Sequence, residues 1–149
     1  MEAVAKLEGI KLMIVGKTGW EYKEILDAPK KLGIEKRVEF KGFVPTKDLP
    51  ALLSGSQCFV LPSLWEGFGI PVVEALATGC PVVVSNVSSL PEVVGNAGIL
   101  VDPYDVDSIV SGIKKAIQTK DQLIKKGLVR AKQFSWQNAA QQTLKVLYN

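Results

Sequence analysis

Residues 62–79 read Pro62-Ser63-Leu64-Trp65-Glu66-Gly67-Phe68-Gly69-Ile70-Pro71-Val72-Val73-Glu74-Ala75-Leu76-Ala77-Thr78-Gly79. A β-rich run, Cys58 to Leu61, ends at Pro62. A loop with two glycines follows, and then a helix expected over Ile70 to Thr78, with Pro71 in its first turn and Gly79 as its stop. Strand, glycine loop and helix form the repeating unit of a parallel α/β sheet. Gly67 and Gly69 are expected to take backbone shapes closed to other residues and to let a ligand approach closely. Unpaired amides at the helix start point into that space and suit a diphosphate. Glu66 precedes the glycines, and Glu74 lies about one turn inside the helix. Two carboxylates beside an anion site are electrostatically odd if phosphate is the whole ligand. They fit a ligand that also carries sugar hydroxyls, whose hydrogen bonds carboxylates accept. A bare Gly-x-Gly could be only a tight turn with solvated neighbours; the entire string argues for a site.

Working outward, short apolar runs alternate with longer amphipathic stretches. Strands are expected at Ile10 to Val15, Arg37 to Lys41, Cys58 to Leu61, Val82 to Ser85 and Gly98 to Val101. Helices are expected at Trp20 to Leu32, Lys47 to Leu53 with Thr46 as cap, Ile70 to Thr78, and Ser89 to Val94. Further helices should run from Asp105 or Asp107 to about Gln118, from Lys120 to Lys132, and from Ser135 to Leu147. This alternation predicts a doubly wound, Rossmann-like domain with a parallel sheet of about five or six strands and helices on both faces. Leu12, Ile14, Val60, Val82, Val83 and Leu100 are the expected core, with Phe134 and Trp136 anchoring the last helices. The final helix either packs on this domain or crosses to a partner domain. In open α/β sheets ligands bind outside the carboxyl ends of the strands. The segments to inspect are therefore Gly16-Lys17-Thr18-Gly19-Trp20, Gly42-Phe43-Val44-Pro45, Pro62 to Ile70, and Ser85 to Ser89.

The 149 residues suit one domain with a single core, and 47% of them are hydrophobic. A formal charge of +3 is compatible with anionic phosphates or lipid head groups but is no nucleic-acid footprint. Lys114-Lys115 and Lys125-Lys126 read as exposed helix faces. The chain has no histidine and only two cysteines, Cys58 and Cys80, both in apolar strand-like contexts. Zinc sites, Ser-His-Asp triads and Cys-His pairs are therefore excluded within this chain. The first residues lack the basic and apolar regions of a signal peptide, and no apolar run approaches the roughly 18 residues of a membrane span. A cytoplasmic protein is expected.

The string from Glu66 to Glu74, a glutamate, seven residues and a second glutamate around Gly-Phe-Gly-Ile-Pro, closely resembles the signature of a large family of retaining glycosyltransferases (family 4, or glycosyltransferase group 1). The resemblance continues through Ala77-Thr78-Gly79-Cys80-Pro81-Val82-Val83, Ser89-Leu90-Pro91-Glu92-Val93-Val94-Gly95 and Ala97-Gly98-Ile99-Leu100-Val101-Asp102-Pro103. Upstream, Leu12 to Gly16 and Val38 to Gly42 also look like the family. It implies the C-terminal, donor-binding half of the two-domain GT-B architecture, binding a nucleoside-diphosphate sugar, with mannosyltransferases among its relatives and polysaccharide biosynthesis as setting. By motif position, Glu66 should contact the donor sugar's hydroxyls near the reacting anomeric carbon. Gly67, Phe68, Gly69 and Ile70 should surround sugar and diphosphate, and Glu74 should hold the ribose hydroxyls. Gly42, Phe43 and Val44 should border the base, Gly16 should lie close to the nucleotide, and Lys17 is a phosphate candidate. No metal or other cofactor is implied, since helix amides and basic residues take that role; there is no Asp-x-Asp.

The chain also departs from the family. The Arg and Lys that usually hold the diphosphate precede the strand expected near Ile10, and the acceptor domain is not in this sequence. Met1 before a helical Glu2-Ala3-Val4-Ala5-Lys6-Leu7 reads as the start of a truncated chain or of an incomplete gene's product. The expectation is a donor-binding domain over 1–149 whose catalysis needs the partner half, with peripheral contact at the inner membrane surface for the full enzyme. A non-catalytic sugar-nucleotide-binding module and an epimerase-like domain are the alternatives. A P-loop is disfavoured because Lys11 stands where the first glycine would be needed, and a dinucleotide fold because no Gly-x-Gly-x-x-Gly follows the first strand.

Overall fold

The computed structural model describes residues 1–17, 19 and 22–148. Thr18 and Trp20, from the first of the loop segments singled out above, lie outside the described residues. In chain order the elements are α1 (Glu2–Ala5), β1 (Leu12–Val15), α2 (Tyr22–Lys31), β2 (Val38–Gly42), α3 (Leu49–Gly55), β3 (Phe59–Leu61), α4 (Ile70–Ala77), β4 (Val82–Ser85), α5 (Leu90–Val94), β5 (Gly98–Val101), α6 (Val106–Gln118), α7 (Lys120–Ala131) and α8 (Trp136–Leu147). A single 3-10 turn, Glu35–Arg37, leads into β2.

Every strand pairing is parallel, but the ladder is not one continuous sheet. β1 pairs with β2, and β3, β4 and β5 pair in that order, with β4 in the middle. Among the described residues no strand pairs with the other edge of β1 or of β3. The two groups are joined by side chains instead. Ala3 and Leu7 of the α1 segment pack with Val110 and Ile113 of α6, and Ile10, Cys58 and Val60 border that same cluster. The Arg37 guanidinium fastens α1 to the entry of β2 by donating to the carbonyls of Val4 (3.0 Å), Ala5 (3.4 Å) and Leu7. The Ala5 and Leu7 carbonyls lie at and beyond the end of the helix, where intrahelical partners run out, while the Val4 carbonyl also accepts from the backbone N–H of Leu7 at 3.2 Å.

Helices cover both faces of the β3–β4–β5 group. On one face Val72, Ala75 and Leu76 of α4 and Leu90, Val93 and Val94 of α5 close over Val82 and Val84. On the other, Val83 and Val101 meet Ala116 of α6 and Leu123 of α7. β4 is buried along its whole length, as its unbroken Val-Val-Val run requires of a central parallel strand. α6 approaches β5 closely because Gly112 faces it: a Cβ there would stand 2.3 Å from Val101.

The expected core is only partly the observed one. Val82 and Val83 are fully buried, whereas Leu12, Ile14 and Val60 are half-buried and Leu100 is 44% exposed. The first two lie in the two-stranded group, which has less packed over it. Phe134 packs on the core beside α4, but Trp136 is 89% exposed and α8 buries none of its residues. The expected cap Thr46 also gives way to Asp48: Pro50 fits only in the first turn, so α3 starts at Leu49. Asp105 and Ser135 cap α6 and α8 by accepting from the backbone N–H of Asp107 and Asn138.

Candidate functional site

The loop after β3 and the start of α4 form the centre of the site. Gly69 is the residue before the helix and sits at φ +94, ψ 47, in the left-handed region. A Cβ there would come within 2.8 Å of Leu90 Cδ2, so glycine is needed both for conformation and for space. Gly67 differs from the expectation that both glycines need special backbone. It has no positive φ, and a Cβ on it would meet nothing within 4 Å. The space where its side chain would stand is open.

Pro71 in the first turn of α4 has no N–H to offer. Among the described residues, the N–H groups of Gly67, Phe68, Gly69 and Ile70 find no acceptor within the protein. Four successive donors at the positive end of a helix can hold an anion. Ile70 is exposed beside them, and the Phe68 ring rests edge-on against Phe134, centroids 5.8 Å apart and planes at 80°. Glu74 is exposed one turn further along α4.

Glu66 is half-buried and firmly held. Its Oε1 accepts from the Ser63 hydroxyl at 2.9 Å. Its backbone N–H donates to Ser88 Oγ at 3.2 Å, and its carbonyl accepts from the hydroxyls of Ser88 (2.6 Å) and Ser89 (3.0 Å). Ser85, fully buried at the end of β4, donates to the Ser63 carbonyl at 2.6 Å. The segment Ser85 to Ser89 was marked by its position after β4, but no role for its serines was legible. The only sequence signal is a second serine beside the one that would cap α5.

The ends of β1 and β2 supply a second group. The Gly16 N–H donates to the Gly42 carbonyl at 2.9 Å, which brings both carboxyl ends together. Lys17 Nζ lies 5.6 Å from the centre of the Phe43 ring, and Phe43 is 67% exposed while Val44 is half-buried. This places a cation and an aromatic face side by side. The structure thus gathers Gly16, Lys17, Gly42 and Phe43 at one strand pair, and Glu66 to Glu74 at the next loop and helix.

Other features lack this character. A depression lined by Gly95, Asn96, Lys125, Lys126 and Arg130 lies at the end of α5, where Arg130 already donates to the carbonyls of Glu92 (2.6 Å) and Val93 (3.0 Å). Among the described residues there is no cluster of three metal-ligating side chains, and no helix is long and apolar enough to cross a membrane.

Comparison with known proteins bears on this geometry. A profile of the family described as glycosyl transferases group 1 matches residues 1–133. The chain is 43% identical over 136 residues to the O-antigen chain mannosyltransferase B of Escherichia coli, covering 89% of this chain and 36% of that protein. It is 39% identical over 122 residues to the MMP alpha-(1->4)-mannosyltransferase of Mycolicibacterium hassiacum, covering 77% and 30%. The chain thus spans about a third of the length of these relatives. Among solved structures, that of Anabaena HepE in complex with UDP-glucose superposes with a TM-score of 0.88 at 26% identity, covering 99% of this chain and 43% of that one.

Proposed function

This chain belongs to the glycosyl transferases group 1, and we propose that it is the donor-binding half of an enzyme that transfers a hexose from a nucleoside-diphosphate sugar to a glycan or lipid-linked acceptor. The observation that carries this reading is the loop from Glu66 to Ile70: a held carboxylate beside four backbone donors at the start of α4. The donors take the diphosphate, Glu66 takes hydroxyls of the sugar near its anomeric carbon, and Glu74 takes the ribose hydroxyls. Gly42, Phe43 and Val44 border the base, with Gly16 and Lys17 at the nucleotide. The acceptor attacks from the face that the diphosphate leaves, so configuration is retained. Glu66 and the amides stabilise the oxocarbenium-like state. No metal is required, and chelator should leave transfer by the complete protein unchanged. The partner half supplies the acceptor site, and the complete protein works in the cytoplasm, touching the inner membrane surface peripherally.

The mannosyltransferases at 43% and 39% identity favour mannose, which we place on a guanosine carrier. UDP-glucose, present in the Anabaena HepE complex, is the second reading.

The test is titration of wild type, Glu66→Ala and Glu74→Ala with GDP-mannose, GDP, UDP-glucose and UDP. Hydrogen bonds to a carboxylate contribute about 1.5–3 kcal/mol each, so each loss should weaken binding roughly tenfold or more. Glu74→Ala should weaken sugar nucleotide and plain nucleotide alike. Glu66→Ala should weaken only the sugar nucleotide. The wild-type chain should bind near millimolar, about −4 kcal/mol. Equal losses for both variants with both ligands overturn the assignment of roles, and unchanged binding in both removes the site.

A further inference from the structure

We propose that Ser63, Ser85, Ser88 and Ser89 form a clamp that positions Glu66 for the donor sugar, so that discrimination between a sugar nucleotide and its bare nucleotide depends on how these serines hold Glu66. The proposal rests on the donor-site reading above. Four serine hydroxyls converge on one four-residue segment. Ser85 fixes the Ser63 carbonyl, and Ser63 fixes one oxygen of the Glu66 carboxylate. Ser88 brackets the Glu66 backbone, accepting from its N–H and donating to its carbonyl, which uses the one proton and a lone pair of a single hydroxyl. Ser89 donates to the same carbonyl.

Two features separate this from ordinary loop packing. Ser88 is the one non-glycine residue at positive φ among the described residues, at +60. A left-handed serine persists only where its surroundings hold it, and here the hold is the double contact with Glu66. Ser89 stands at the cap position of α5 yet its side chain does not cap that helix; it reaches across to Glu66 instead. The residues are 22 or 23 apart in sequence from the backbone they hold. With Oε1 held by Ser63, the other carboxylate oxygen is left in a fixed direction for a sugar hydroxyl. A carboxylate fixed in advance loses less freedom on binding.

The test compares dissociation constants for GDP-mannose against GDP and UDP-glucose against UDP, by NMR titration of this chain. The variants are Ser88→Gly, Ser63→Ala, Ser89→Ala, Ser89→Thr and the control Glu66→Ala, each with urea denaturation. Glycine accepts the backbone of residue 88, so Ser88→Gly should unfold at an undiminished urea midpoint. It should still lose about tenfold in affinity for the sugar nucleotide, with the bare nucleotide unchanged within about twofold. Ser63→Ala and Ser89→Ala should fall in the same direction, and Ser89→Thr, which keeps the hydroxyl, should recover. If Ser88→Gly and Ser63→Ala keep the full sugar preference while Glu66→Ala abolishes it, the clamp is wrong and the donor site stands. If Ser88→Gly weakens both ligands equally, the serine shapes the loop as a whole and the clamp is overturned. If Glu66→Ala itself changes nothing, the donor-site reading fails and the clamp falls with it.

Discussion

A methyl group at residue 69 would have nowhere to go. It would add left-handed strain, about 1–2 kcal/mol, to a 2.8 Å approach to Leu90. Gly69→Ala should therefore destabilise the fold by roughly 2–4 kcal/mol in urea denaturation. Gly67→Ala has neither problem and should lie within about 0.5 kcal/mol of wild type, yet its methyl enters the space beside the donor amides and should weaken nucleotide binding. Equal stabilities for the two variants would contradict this division between a glycine needed by the fold and one needed by a ligand. Cys58 gives a prediction of another kind. Burial, reinforced by the nearby Cys80, pushes its thiol from the ordinary 9.0 up to about 11. Because the folded value is raised, the associated stability is fully present below pH 9 and is lost as pH climbs towards 11. The loss is on the order of 2 kcal/mol. Urea midpoints at pH 8 and pH 10.5 should fall more in wild type than in Cys58→Ala, which lacks the titrating group; parallel falls would refute the assignment.

Elements with one dominant constraint were legible from sequence, and those depending on a distant partner were not. β4 begins where its apolar run does, because a strand buried on both faces is written as an unbroken apolar run; β5 follows the same Gly98–Val101 run although Leu100 on it is exposed. α4 follows from Gly69, Pro71 and Gly79 alone. The candidate site string could be picked out for the same reason: loop, glycines and glutamates are contiguous. The serine clamp could not, since its contacts cross from the β3 loop to the β4 loop. Nor could the role of α7, which the sequence offered only as an amphipathic helix. Its Arg130 donates to the last carbonyls of α5 and to Gln133, and lies 5.0 Å over Phe134, whose ring in turn meets Phe68. Arg130 thus ties the end of α5 to the aromatic contact beside the β3–α4 loop. Arg130→Lys cannot span two carbonyls and an aromatic face at once and should behave almost as Arg130→Ala, both losing about 1.5–3 kcal/mol in urea denaturation. A lysine variant as stable as wild type would show that charge alone, and not the guanidinium fork, holds α5.

Across the whole molecule, burial is unevenly shared between the two strand groups, and the proposed donor site draws on both. β4 is buried throughout with a paired neighbour on each side, while among the described residues β1 and β2 pair only with each other and expose Met13, Val15 and Phe40. Regions with few buried apolar contacts open at lower free energy than the core. Amide hydrogen exchange should therefore separate two tiers. Val83 and Val84 should exchange only on global unfolding, and residues 12–15 and 38–42 through a smaller opening with a lower urea dependence. Glu66 to Glu74 lie between β3 and β4, beside the stable tier, whereas Gly16, Lys17, Gly42, Phe43 and Val44 belong to the labile one. A nucleotide that reaches both must bind the closed form of β1–β2 preferentially, so saturating GDP or UDP should slow exchange there by the factor 1 + [L]/Kd. Protection of β1–β2 supports the base-bordering role of Gly42 to Val44. Protection confined to the loop and first turn of α4 would leave the diphosphate site in place and remove the base from β2. Uniform exchange rates across β1, β2 and β4 without ligand would show that side-chain packing through α1 makes the two strand groups one cooperative unit.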